Sequence, residues 1–316
     1  MFAEFGFVIS ITLALAIGAN NAGIAMGPVY GAGARSRWAS LILAALFYLA
    51  GALLLGPRGI RTVGSGIFTE SLGAYPYLFL LVAPASALVL LTLATLLKVP
   101  VSTTHAAVAA LAGVGLYLDV LNAEKARHIL AWWALTPVVA FAVTWPIALL
   151  VPHRWADRLP RRVIGFLLTL GGCYMAFTVG ANNAGNSTGA LAGAGLLNPL
   201  AAAALAGAGM AVGALLWGSR MLEAVGKKLT ELNHLRSLVV ALVSGTITLV
   251  AALYGVPISK TLVVASAIIA YGLASNGFGA TYRNGSVRRI AVLWTTSPLI
   301  AVGSTYFIVW AFRVAR

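Results

Sequence analysis

Gly18-Ala19-Asn20-Asn21-Ala22-Gly23 recurs letter for letter as Gly180-Ala181-Asn182-Asn183-Ala184-Gly185, a displacement of 162 residues. Two looser matches run in the same order. Arg61-Thr62-Val63-Gly64 pairs with Glu223-Ala224-Val225-Gly226 at 162, and Val99-Pro100-Val101-Ser102-Thr103-Thr104 pairs with Val256-Pro257-Ile258-Ser259-Lys260-Thr261 at 157. Three matches in one order mark an internal duplication. The expected division is a first repeat over 1–156 and a second over 157–316, together forming one transmembrane transport domain.

The sequence around these runs is apolar. Of 316 residues, 60% are hydrophobic and 9% charged, and the mean hydropathy is +0.94, which excludes a soluble globular protein. Stretches of spanning length lie near 5–25, 38–56, 76–97, 101–121 and 129–151, then near 163–181, 194–217, 237–255, 256–275 and 290–312. A bilayer crossing needs about 20 apolar residues. The expected fold is therefore an all-α integral membrane protein with ten to twelve transmembrane segments in two repeats, some of them broken or re-entrant where Gly and Pro interrupt the runs. The N-terminal Met1-Phe2-Ala3-Glu4 runs into apolar sequence without a positive leader, so the first segment is expected to stay in the mature protein.

Five segments per half is an odd number, so if all of them cross, the second repeat enters the membrane in the opposite sense to the first. Basic residues agree with this arrangement. The connections after odd-numbered segments hold about 14 Lys and Arg and the rest about six or seven, which places the first set in the cytoplasm and both termini outside. The same accounting explains the net charge of +14 without a nucleic-acid partner. The single cysteine, Cys173, excludes an intrachain disulfide and a thiolate-clustered zinc.

Inverted repeats often meet at a substrate site near the midplane, with broken helices pointing their ends at it. The Gly-Ala-Asn-Asn runs suit such breaks, because Gly loosens a helix and Asn competes for its hydrogen bonds. On this reading the backbone unwinds at both runs, and Asn20, Asn21, Asn182, Asn183 and the following Asn186 offer donors to an oxyanion. The competing reading is that the small and polar residues pack helix on helix. In the second motif, Pro100 before Ser102, Thr103, Thr104 and His105, and Pro257 before Ser259, Lys260 and Thr261, predict helix starts with hydroxyl caps. Lys260 is the unusual member, since a cation at membrane depth marks a function and needs a partner. No acid lies near it in sequence, whereas a bound anion answers the need. His105 is the candidate proton carrier. Neither Ser102 nor Ser259 has a base and orienter beside it, so no catalytic residue and no metal ligand is assigned.

The two motifs, in order over nearly the whole chain, resemble the signatures of the inorganic phosphate transporter (PiT) family. The resemblance implies that Asn20, Asn182, Asn186, Ser102, Thr103, Thr104, Ser259 and Thr261 hold the anion and its coupling cation, H+ or Na+. The family typically has Asp where Asn21 and Asn183 stand, Asn where Ile24 stands and Thr where Lys260 stands. Without those carboxylates the site loses an acceptor for the hydroxyl of hydrogen phosphate, and with Lys260 it favours a fully ionised dianion. Together with Ala25-Met26-Gly27-Pro28-Val29-Tyr30-Gly31, which looks like the family's sulfate permease branch, this implies a symporter that prefers sulfate. The alternatives are a phosphate transporter and, in another class, a passive anion channel. No cofactor is expected. The expected partners are the inorganic anion and the lipid bilayer, in a prokaryotic plasma (inner) membrane, with a homodimer left open.

Overall fold

The computed structural model describes residues 2–70, 78–96, 102–150, 160–230, 234–282 and 285–314. These residues form ten α-helices: α1 (Phe2–Gly31), α2 (Arg37–Arg61), α3 (Ala83–Leu96), α4 (Thr103–Tyr117), α5 (Ala123–Leu150), α6 (Arg161–Gly193), α7 (Pro199–Thr230), α8 (His234–Leu253), α9 (Lys260–Tyr282) and α10 (Gly285–Val314). Each corresponds to one apolar stretch of the sequence. π-Helical turns at Thr62–Gly66 and Leu78–Val82 follow α2 and precede α3, and the β structure among the described residues is a lone antiparallel bridge between Phe68 and Leu121. By length and composition α1, α2, α5, α6, α7 and α8 carry stretches able to cross a membrane, while α3, α4, α9 and α10 carry shorter apolar stretches.

The bundle is apolar outside and partly polar inside. Leu54, Leu150, Leu299 and Phe307 are exposed, whereas Asn182, Asn183, Asn186, Thr103, Thr104, Ser259 and Lys260 are buried. In lipid this is the stable arrangement, since polar side chains find partners only in the interior.

Local geometry repeats between the halves. Gly33 ends α1 at φ 66° and Gly195 ends α6 at φ 76°, left-handed turns that glycine adopts without strain. Ala34 N donates to Val29 O at 3.0 Å, as Leu196 N does to Leu191 O at 3.0 Å. Ser36 then accepts from Ala39 N at 3.3 Å to start α2, and Asn198 accepts from Ala201 N at 2.8 Å to start α7. All these pairs are 162 residues apart.

Packing partners exchange between halves too. A Cβ on Gly18 would strike the Met210 carbonyl, and one on Gly180 would strike that of Tyr48. Gly23 abuts the Met221 carbonyl and Gly185 that of Gly59; Gly51 abuts Phe177 and Gly213 abuts Leu15. In each pair a residue i meets j + 162 while i + 162 meets j, the signature of an approximate two-fold exchange. At the level of helices, α1 packs on α7 as α6 packs on α2, and α4 on α10 as α9 on α5.

The glycines overturn one expectation. Both Gly-Ala-Asn-Asn runs lie inside continuous helices, with no unwinding at either. Helix propensity disfavours Gly, but here its missing Cβ lets another helix's backbone come close, and that packing outweighs the propensity cost. The second asparagine of each run does not disrupt the helix either, because it returns its amide to its own turn: Asn21 Nδ2 donates to Ile17 O at 2.8 Å and Asn183 Nδ2 to Val179 O at 3.0 Å.

Candidate functional site

Non-helical backbone enters the interior at residues 256–259, between α8 and α9. Gly255, at φ 69°, ends α8, and Val256 N closes the turn on Ala251 O at 2.9 Å. Pro257 cannot continue a helix in the ordinary way, and Ser259 restarts one, its Oγ accepting from Leu262 N at 3.4 Å. Ser102 opens α4 likewise, accepting from His105 N at 3.2 Å. Both predicted hydroxyl caps are therefore present.

Side chains satisfy the buried break. Ile258 O accepts from Asn182 Nδ2 at 2.9 Å and from Thr104 Oγ1 at 2.9 Å, and Ile258 N donates to Asn182 Oδ1 at 3.1 Å. Trp133 of α5 donates its indole N–H to Pro257 O at 2.7 Å. Non-helical backbone at membrane depth persists only with such partners.

Around this turn α4 and α6 form one network. Thr103 Oγ1 donates to Asn183 Oδ1 at 3.0 Å, and Asn186 Nδ2 donates to Asn183 Oδ1 at 2.9 Å and to Thr104 Oγ1 at 3.0 Å. Asn186 Oδ1 is a buried acceptor with no donor. The first turn of α4 therefore meets the asparagines of α6 and the turn before α9, which brings Thr103, Thr104, Asn182, Asn183 and Asn186 together.

The other expected site residues stand apart from that network. Asn20 and Thr261 are partly exposed, and Asn21 is buried with its amide spent on its own helix. Ser259 is buried and caps α9. Lys260, next to it, is 4% exposed, and its Nζ has no hydrogen-bond partner in the described structure. His105 is 2% exposed and packs on Trp133 at a tilt of 39°, with ring centroids 4.3 Å apart. Both rings line an apolar crevice of about 650 Å³ with Pro137, Leu262 and Pro298.

Two participants escaped sequence reasoning. Trp133 carried a signal, because a tryptophan within an apolar helix needs an acceptor when buried. The Ile258 peptide group carried none, since its role is made by main-chain atoms. Among the described residues no Asp or Glu is buried, and no three of His, Cys, Asp and Glu cluster as metal ligands do. The arrangement offers hydroxyls, carboxamides, two helix starts and one ammonium, a set that recognises oxygen-rich, negatively charged ligands.

Comparison with known proteins agrees with the motifs. A sulfate permease, CysP, of Bacillus subtilis (strain 168) is 31% identical over 310 residues, covering 97% of this chain and 87% of that one. Inorganic phosphate transporter 2-1, chloroplastic, of Arabidopsis thaliana is 24% identical over 422 residues, covering 98% and 70%. The fold is that of a solved sodium-dependent phosphate transporter, with a TM-score of 0.83 at 21% identity over 99% of each chain. The profile of the phosphate transporter family matches residues 17–162 and again 152–305. With both halves matched and the polar cluster built from the duplicated motifs, this multi-pass membrane transporter belongs to the phosphate transporter family.

Proposed function

We propose that the chain is a secondary active transporter of an inorganic tetrahedral oxyanion, sulfate in preference to phosphate, working by alternating access. The observation that carries this reading is a buried lysine at the start of α9, with no hydrogen-bond partner and no buried acid among the described residues, in a bundle whose surface is apolar. An ammonium at such depth is costly unless an anion meets it. Sulfate, which has only acceptors at neutral pH, suits a site of donors with no buried carboxylate. The likeness to a sulfate permease supports the same substrate. Phosphate is the second reading, favoured by Asn186 Oδ1, a buried acceptor suited to the hydroxyl of hydrogen phosphate.

The substrate set comprises Asn20, Asn21, Ser102, Thr103, Thr104, Asn182, Asn183, Asn186, Ser259, Lys260 and Thr261. The exchange of packing partners between halves supports rocking of two inverted repeats, 1–156 and 157–316, about this set. All ten helices would then cross or re-enter the plasma membrane, with both termini outside. Anion entry against a negative-inside potential costs roughly 2.3 kcal/mol per charge per 100 mV, so accumulation requires a co-transported cation. We assign that role to H+, with His105 as its carrier; Na+ is the alternative.

The test is uptake of radiolabelled sulfate into proteoliposomes, competed with phosphate, under imposed proton or sodium gradients. Saturable uptake that a proton gradient drives uphill and phosphate does not inhibit is the expected result. Equal competition by phosphate overturns the selectivity, and flux that neither saturates nor accumulates replaces the transporter with a passive channel. His105→Gln is expected to remove proton-driven accumulation while leaving sulfate exchange intact; accumulation that survives the change removes His105 from coupling.

A further inference from the structure

The anion-transport reading treats the two halves alike, yet their polar contacts differ. The equivalence itself is well anchored in contacts. Asn21 and Asn183, 162 apart, bond to Ile17 and Val179, also 162 apart. Ser102 and Ser259, 157 apart, cap through His105 and Leu262, also 157 apart. Three pairs of glycine contacts exchange between halves in the same way.

This exchange locates a side chain that no hydrogen bond locates. Thr103, at the start of α4, donates to Asn183 on α6 at 3.0 Å. Its counterpart is Lys260 at the start of α9, and the counterpart of Asn183 is Asn21 on α1. By repeat equivalence Lys260 is the residue set to face Asn21, across an α1–α9 pair that packs less closely than α4 on α6.

From that position the two sides diverge chemically. On the α4–α6 side, Asn183 Oδ1 receives two donors, Thr103 Oγ1 and Asn186 Nδ2. On the α1–α9 side Ile24 replaces Asn186 and Lys260 replaces Thr103, so one donor is deleted and the other becomes a cation. The hydrogen bonds of the described residues give Asn21 Oδ1 no donor, and Lys260 Nζ has no acceptor although the residue is 96% buried. The α4–α6 network leaves open Asn186 Oδ1, an acceptor, which repels an oxyanion.

Resting on the reading above, we propose that the anion sits on the α1–α9 side, against the Lys260 ammonium and beside Asn20 and Asn21. The α4–α6 network shapes the cavity and holds the turn before α9 without carrying the anion's charge. One ammonium offsets half of a sulfate dianion's charge in the bound state, but both negative charges cross the membrane, so accumulation depends on co-transported cations.

The test is sulfate-induced thermal stabilisation of the purified full-length protein in detergent, with chloride at equal ionic strength as control. Lys260→Met is expected to weaken sulfate binding by about 100-fold or more and to raise the ligand-free melting temperature, because an uncompensated buried charge is gone. Thr103→Val is expected to weaken sulfate by less than about tenfold and to lower the ligand-free melting temperature, because Asn183 loses a donor. A purely structural lysine predicts the opposite sign of the Lys260→Met melting shift. Lys260→Thr, which restores the hydroxyl of the equivalent position, serves where the Met variant does not fold.

Sulfate affinity retained within about threefold in Lys260→Met or Lys260→Thr, or an equal loss in Thr103→Val, overturns the assignment of the anion to the α1–α9 side. If wild type responds to neither sulfate nor phosphate and transports neither, the transport reading itself fails and this inference with it. That outcome is distinct from a wild type that binds and a lysine variant that binds as well.

Discussion

The two copies of Gly-Ala-Asn-Asn-Ala-Gly have identical letters, identical helical backbone and matching glycine contacts, but their surroundings differ. In the second copy Asn183 is tied into α4 through Thr103 and stiffened by Asn186 three residues on. In the first, Asn21 bonds only within its own turn. The glycines preserve the duplication because close helix approach tolerates no side chain there. The polar neighbours diverged because hydrogen bonds can be redistributed without moving the backbone. Identity of a motif thus reports shared packing, while its neighbours set the chemistry that each copy presents.

The strongest way to break the comparison is to attack what the copies share. Gly18→Val and Gly180→Val each drive a side chain into a partner backbone, at Met210 and Tyr48. Each should cost roughly 3 kcal/mol or more and abolish recovery of folded protein. Size-exclusion chromatography of detergent extracts measures this, and a well-folded variant of either glycine would show that the contact is loose. The next test attacks what they do not share. Asn183→Leu strands Thr103 and Asn186 and should destabilise by about 2–4 kcal/mol, whereas Asn21→Leu should cost about 1 kcal/mol or less. Thermal melts of the two variants side by side decide it, with equal losses contradicting the inequivalence.

A smaller effect would sharpen the comparison. Ile24→Asn gives the first copy the residue found at the equivalent position of the second, adding an acceptor near Asn21. Discrimination against phosphate in competition uptake should fall by roughly tenfold, because hydrogen phosphate carries the donor that this acceptor takes. An unchanged ratio would mean that position 24 does not face the substrate. The smallest change lies outside both copies. Arg37 and Glu223 approach to 3.5 Å with side chains 46% and 43% exposed, so Glu223→Gln should move the melt by less than about 0.5 kcal/mol.

Much of the architecture was legible because lipid imposes a simple pattern. Each of the ten apolar stretches became a helix, and the displacements of 162 and 157 reappear as matched caps and contacts. The hydroxyl caps at Ser102 and Ser259 were readable from Pro-x-Ser spacing. The reading went wrong where it weighed Gly18, Gly23, Gly180 and Gly185 by propensity alone, since a propensity is a single-helix quantity and these glycines answer to a second helix. The same error shortened the sixth segment, expected near 163–181, whereas α6 runs to Gly193. The site was legible as a list of residue types but not as a set of bonds. Asn182 was legible as a donor for an anion, but not the clasp its carboxamide makes on both the N–H and the carbonyl of Ile258. The repeat of Trp133 and Pro137 as Trp294 and Pro298, at 161, lay in the sequence and marks α5 and α10 as counterparts.

The crossed packing of α4 on α10 and α5 on α9, with α1 on α7 and α6 on α2, means that each half buries its largest helix faces against the other. A half-length chain would present its glycine seats and its fourth and fifth helices to nothing, and could fold only by embracing a second copy. The chain therefore has the packing of two copies of one half interlocked with each other. Breaking the polypeptide between the halves should leave two fragments that are each unstable alone and recover one another when made in the same cell.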